Sequence, residues 1–173
     1  DQVVKLGFDG ILTEAVDRHL EGRERTQLFT DYQARIPLLL KQAPLSDDIA
    51  FRFSDRNWAA HPLHADRYLE WLHVYPEDAL VNLFMDFETF GEHQWQDTGI
   101  FEFFEEMITG FLDKAWNQTV RPSEIFAKAK KEQIKLWLKQ NPDASEFRKK
   151  KVKKEGPSPL QLPKYHVTNP ISW

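Results

Sequence analysis

Two carboxylates, Asp86 and Glu88, follow an apolar run, Ala79-Leu80-Val81-Asn82-Leu83-Phe84-Met85. Side chains two apart on a strand share a face, so a strand ending here projects both acids the same way. A carboxyl group packed against Phe84, Phe87 and Phe90 is expected to be partly desolvated. Desolvation raises a carboxyl pKa toward the range a general acid needs. The rival reading is a pair of solvated loop carboxylates. The next seven residues, Thr89-Phe90-Gly91-Glu92-His93-Gln94-Trp95, combine hydroxyl, carboxylate, imidazole, amide and indole. Sugars present many hydroxyls and one apolar face, so Glu92, His93 and Trp95 are candidate substrate contacts beside Glu88.

Further along the chain, Glu14 ends a short β-rich run, and Asp47, Asp48 and Arg52 flank another. Asp48 and Arg52 either line a cleft or form a local ion pair. Trp58 and Trp95 are candidate platforms for sugar stacking, since aromatic faces suit sugar C–H faces. His61, His64, His73 and His93 match no tight ligand spacing, so no metal and no cofactor is expected.

These residues need elements to position them. Val3, Val4 and Leu6, then Gly7, then Phe8 to Glu14 form a helix end, a glycine and a β-rich run, as in an α-to-β step. A polar loop is expected over Asp17 to Arg25, and Leu38-Leu39-Leu40 is a short apolar patch. The alternation of Ile49, Phe51 and Phe53 predicts a strand over Asp48 to Phe53. Pro62 opens a predicted helix carrying Ala65, Tyr68, Leu69, Leu72 and Tyr75. Residues 79–85 suit a parallel strand covered on both faces. Gly99 to Leu112 gives the clearest helix, with Ile100, Phe103, Phe104, Met107, Ile108 and Phe111 on its apolar side. Ser123 is the expected cap of a helix running to Lys139. Strands alternating with helices predict an α/β fold with a parallel sheet or barrel.

At 173 residues, 41% hydrophobic and 29% charged, with net charge −4, the chain has the composition of a globular domain. Aromatics make up 13%, with six Trp and thirteen Phe, which supplies a rich core. There is no apolar run of the ~18 residues a membrane span needs, and Asp1 to Leu6 lacks the charged and apolar regions of a signal peptide. The absence of Cys excludes disulfides and thiolate chemistry, and favours an intracellular, cytoplasmic protein. Arg148-Lys149-Lys150-Lys151-Val152-Lys153-Lys154 lacks interleaved aromatics, so 140–160 is expected to be a flexible basic insertion. Neither a nucleic-acid nor a membrane partner is expected.

The segment Leu83 to Trp95 resembles the fourth conserved region of the amylase-type enzymes of glycoside hydrolase family 57. Gly7-Phe8-Asp9-Gly10-Ile11-Leu12-Thr13-Glu14-Ala15-Val16-Asp17-Arg18 is similar to another stretch of that family. So are Leu45-Ser46-Asp47-Asp48-Ile49-Ala50-Phe51-Arg52-Phe53-Ser54 and Asn169-Pro170-Ile171-Ser172-Trp173, all in the expected order. The resemblance implies an incomplete (β/α)₇, TIM-like barrel cleaving α-1,4-glucans such as starch, glycogen and maltooligosaccharides, with retention of configuration. Retention uses two carboxyl groups about 5–5.5 Å apart. Asp86 matches the acid/base. The family's nucleophilic Glu and its early His-containing motif belong to segments upstream of Gly7. Residues 1–173 are therefore expected to be the middle-to-late part of one catalytic barrel domain, inactive in isolation. Glu14 could stand in as nucleophile, but a substrate or structural role for Glu14 and Asp17 fits the motif better. The rival functions are a catalytically inactive sugar-binding protein of the same fold and a deacetylase-like barrel, which would require a metal triad.

Overall fold

The Asp31 side chain ties the end of one strand to the start of the next. Its carboxylate accepts from the backbone N–H of Arg35 at 2.6 Å and of Ile36 at 3.1 Å, and from Arg35 Nε at 2.8 Å. These bonds close the connection between strands β2 (Phe29–Asp31) and β3 (Pro37–Leu40). In this computed structural model residues 2–31, 35–140 and 170–171 are described. The basic segment 148–154 and most of the closing Asn169 to Trp173 motif lie outside the described residues.

The sheet has four strands in the order β1-β3-β2-β4, with β1 at Ile11–Thr13 and β4 at Pro170–Ile171. Strand β2 runs antiparallel to β3 (Phe29 opposite Leu38, Thr30 opposite Pro37) and parallel to β4 (Thr30 opposite Pro170). The sheet is thus mixed. An α/β architecture is present, and a wholly parallel barrel is not formed among the described residues. The Leu38-Leu39-Leu40 patch is the body of β3, and all four residues of that strand are buried.

The chain divides into two compact units: residues 1–11, 29–38 and 120–173, and residues 12–28 and 39–119. In the first, helix α1 (Gln2–Lys5) precedes the β-rich run and helix α6 (Pro122–Gln140) follows it in space. Pro122 stands at the first helical position, where its missing N–H costs nothing. Ser123 is therefore inside the first turn, not the cap. Glu124 completes the end instead, its Oε2 accepting from the Arg121 N–H at 3.1 Å as in half of a capping box. That bond and the Arg121 guanidinium hold the Glu124 carboxyl below its ordinary pKa. Lys130 on α6 pairs with Asp9.

Phe126 of α6, 5% exposed, lies over Gly10 so closely that a Cβ there would sit 2.4 Å from its ring. Gly10→Ala is expected to destabilise the protein by about 1–3 kcal/mol, the range for overpacking a filled site. Thermal denaturation checks this, and an unchanged midpoint would mean that the ring does not cover Gly10.

The second unit holds a core of Leu45, Ile49, Phe53, Leu63, Ala65, Tyr68, Leu72, Ile100, Phe103 and Met107. Helix α2 (Asp17–Leu20) occupies the start of the expected polar loop. Helix α3 (Ala43–Asp47) passes into a π-type turn over Asp48–Arg52. The strand expected over Asp48 to Phe53 is therefore helical. Ile49 (0% exposed) and Phe53 (5%) face inward while Phe51 is 70% exposed, an i, i+4 pattern that no strand gives. Helix α4 (Ala65–Leu72) starts three residues after Pro62 and buries Ala65, Tyr68 and Leu72. Helix α5 (Ile100–Leu112) starts one residue later than predicted, with Gly99 as its N-cap, and buries Ile100, Phe103 and Met107. It approaches α4 so closely that Gly110 leaves no room for a Cβ beside Leu69.

Residues 79–85 do not form the expected buried strand. One parallel bridge joins Asn82 to Lys41, and Val81 to Met85 are only half-buried. The run is held by single bonds: Leu80 N–H to Thr26 O (2.8 Å), Gln42 N–H to Asn82 O (2.8 Å) and Phe84 N–H to Ser46 Oγ (3.1 Å).

Candidate functional site

Asp86 lies in extended conformation (φ −66°, ψ 146°) immediately ahead of a 3₁₀ turn, Phe87–Thr89. It is exposed, and its carboxylate makes no capping hydrogen bond. Glu88 is inside the turn, so the two acids are not strand neighbours sharing a face. Of the three phenylalanines expected to shield it, Phe87 is 93% exposed and Phe84 and Phe90 are half-buried.

The turn itself is firmly built. Thr89 N–H donates to Asp86 O at 3.0 Å, His93 N–H to Glu88 O at 3.0 Å, and Gln94 N–H to Thr89 O at 2.9 Å. Gly91 at φ +105° returns the chain, a conformation that L side chains rarely adopt. Its N–H donates to Gln94 O at 2.9 Å. Thr89 and Gln94 are buried at 1% and 2%, whereas Asp86, Glu88, Glu92, His93 and Trp95 are all exposed. One short turn thus carries five of the residues singled out from sequence and offers them to solvent. Phe90 fixes it from below against Phe104 of α5, with ring centroids 5.0 Å apart.

Asp48, Arg52 and Trp58 form a second group. Arg52 Nε donates to Asp48 Oδ1 at 2.6 Å, and its guanidinium also donates to Pro44 O at 2.9 Å. The local ion pair is what the geometry shows, on a helical turn and not beside a strand. The Arg52 guanidinium lies 5.8 Å from the Trp58 ring, which also meets Trp71 edge-on at 6.1 Å. Trp58 is half-buried, while Trp95 is 64% exposed and has the open surface a sugar face needs. A buried bond, Gln94 Nε2 to Ala50 O at 3.1 Å, ties the Asp86 turn to the Asp48–Arg52 turn.

The third group contains a residue that sequence reasoning missed. Glu14 is exposed and ion-paired with Lys41, Nζ to Oε2 3.6 Å, and the same Nζ donates to Asp47 Oδ1 at 3.1 Å. Burial pulls the Lys41 pKa down, but the hydrogen bond and charge of Asp47, with the charge of Glu14, hold it above the ordinary lysine value. The available signal was positional: Lys41 directly follows an apolar run, where a strand's C-terminal end falls.

A groove of about 280 Å³ in the second unit is lined by His61, His64, Glu102 and Glu106 over Phe53 and Phe103. None of the residues predicted to contact substrate lines it. Among the described residues no group of three or more His, Cys, Asp or Glu could hold a metal ion. No described helix is long and apolar enough to cross a membrane.

A family model described as glycosyl hydrolase family 57 matches residues 1–139. A curated protein named "Putative alpha-amylase", from Methanocaldococcus jannaschii, is 41% identical over 120 residues. That alignment covers 69% of this chain and 25% of the relative, so the chain spans about a quarter of the relative's length. No solved structure matches.

Proposed function

The chain belongs to glycosyl hydrolase family 57, and from that footing we propose that it serves hydrolysis of α-1,4-glucans with Asp86 as general acid/base. The observation that carries the proposal is the Asp86 turn: an exposed carboxylate with no capping bond, on a backbone pinned by buried Thr89 and Gln94. Trp95 supplies an open aromatic face, and Glu88, Glu92 and His93 supply hydrogen-bonding groups on the same turn. A backbone fixed in this way sets where these side chains begin, which is the first requirement of substrate positioning.

In this reading the complete protein forms the family's incomplete (β/α)₇ barrel, and the mechanism is a double displacement. Asp86 first protonates the glycosidic oxygen as a carboxylate nucleophile attacks the anomeric carbon. It then deprotonates the water that releases the sugar. Glu14 and the Asp48–Arg52 pair bound the glucan cleft, holding hydroxyls rather than reacting.

Two inversions return the starting anomer. Proton NMR of the first seconds of maltoheptaose cleavage by the complete protein is therefore expected to show the α-anomer of the new reducing end, before mutarotation mixes the forms. A β-anomer would overturn the double displacement. Binding without any cleavage would favour a sugar-binding protein of the same fold.

A further inference from the structure

We infer that Ser46 and Gln94 are positioning residues that hold the Asp86 turn at two points of one helical stretch. The inference rests on the reading of Asp86 as acid/base and adds to it the residues that place that acid. Ser46 and Ala50 stand four residues apart on the stretch formed by α3 and the π-type turn, so they are neighbours on one face. Both are buried, at 0% and 6% exposed. Ser46 Oγ accepts from Phe84 N–H at 3.1 Å, two residues before Asp86. Ala50 O accepts from Gln94 Nε2 at 3.1 Å, eight residues after it. The two bonds bracket Asp86 in sequence and end on adjacent positions of the same stretch.

Each anchor is itself fixed. The Ser46 hydroxyl donates to Gln42 O at 2.9 Å, which commits its one proton and leaves its lone pairs for Phe84. Gln42 N–H in turn donates to Asn82 O at 2.8 Å, so the segment is already aligned ahead of Ser46. On the other side, Gln94 N–H donates to Thr89 O at 2.9 Å, and Thr89 N–H donates to Asp86 O at 3.0 Å. A shift at Gln94 therefore reaches the Asp86 backbone through two hydrogen bonds. Phe90 holds the turn differently, since its partner Phe104 belongs to α5, the helix into which the turn leads.

Burial decides how these residues act. Gln94 is 2% exposed and Ser46 is fully enclosed, so neither presents a surface to a glucan, whereas Asp86 is exposed. The Asp86 carboxylate makes no capping bond, so its place is set by the backbone that carries it. That backbone is what the two anchors hold.

Kinetics of the complete protein on starch, beside the first step on an aryl α-maltoside, test this. Gln94→Met keeps the length of the side chain and loses the donor. It is expected to lower kcat on starch about 10- to 100-fold while KM moves less than about twofold, since a misplacement of about 1 Å can cost that much. Ser46→Ala should lower kcat in the same way, by about tenfold. The first step on the aryl substrate, whose leaving group needs no proton, should change less than about threefold in both variants. In the Asp86→Ala protein no proton donor remains to be misplaced, so neither substitution should lower starch hydrolysis more than about twofold further. Equal losses on the two substrates, or a full further loss in Asp86→Ala, would overturn the inference and mark a purely structural role. Parental kcat in both variants would also overturn it and leave the acid/base reading standing. Parental hydrolysis of starch by Asp86→Ala would remove that reading and the inference together. If Gln94→Met does not fold, Ser46→Ala decides by the same comparison.

Discussion

Tyr68→Ala is expected to cost about 4 kcal/mol, the middle of the range for truncating a buried aromatic residue. Tyr68 is fully buried on α4, and its ring is held from two sides. Phe103 of α5 meets it edge-on at 5.6 Å, and Trp71 lies tilted at 5.9 Å. Such pairs add roughly 0.5–1.5 kcal/mol beyond the area buried. The hydroxyl donates to Leu45 O at 3.0 Å and so ties α4 to α3. Burial and the nearby Asp48 charge push the Tyr68 pKa far up, so the phenol stays protonated and keeps donating at any ordinary pH. Truncation therefore removes ring contacts and an inter-helix bond together. Against a typical domain stability of about 5–15 kcal/mol, that is a large share. Tyr68→Phe keeps the ring and should cost about 1 kcal/mol. Phe51→Ala, at a 70% exposed position, should change stability by under about 0.5 kcal/mol. Urea unfolding compares the three. A Tyr68→Ala loss no greater than that of Tyr68→Phe would mean that the ring is not the keystone of this core.

The contrast between Phe51 and Tyr68 also shows where sequence reasoning ran out. Helix α5 was legible because thirteen residues repeat their apolar positions at helical spacing, and its capping Gly99 adopts φ +80°. Residues 49–53 were not, because Ile49, Phe51 and Phe53 satisfy a strand alternation while Ile49 and Phe53 alone satisfy a helical one. Five residues cannot separate those periods, and the exposure of Phe51 was the missing fact. At the site, the residue types in 86–95 were legible, but the turn that carries them was not, since Asp86 and Glu88 were read as strand neighbours. The shield expected from Phe87 did not form, since that ring is 93% exposed. Lys41 was illegible for a different reason. Its partner Glu14 is far away in sequence, and a lone lysine after an apolar run carries no mark of the two carboxylates it joins. Gln94 is similar: its amide is buried by a bond to Ala50, 44 residues earlier.

Exposure gives the test of Asp86 its sharpness. Because Asp86 is exposed and caps nothing with its side chain, Asp86→Ala in the active protein should change folding stability by under about 0.5 kcal/mol. A loss of activity can then be read as chemistry. Hydrolysis of starch should fall roughly 10² to 10⁴-fold, the usual contribution of a positioned proton donor. The loss should depend on the leaving group. A sugar alkoxide needs protonation to depart, whereas an activated aryloxide leaves unaided, so the first step on an aryl α-maltoside should be much less affected. Hydrolysis of the resulting glycosyl-enzyme would then stall, since water needs a general base, and the aryl substrate should show a burst followed by slow turnover. Azide needs no deprotonation, so adding it should restore turnover and yield an α-configured glycosyl azide, because the second inversion undoes the first. Equal losses on both substrates without azide rescue would show that Asp86 is not the proton donor. A β-configured azide would show that no glycosyl-enzyme precedes it.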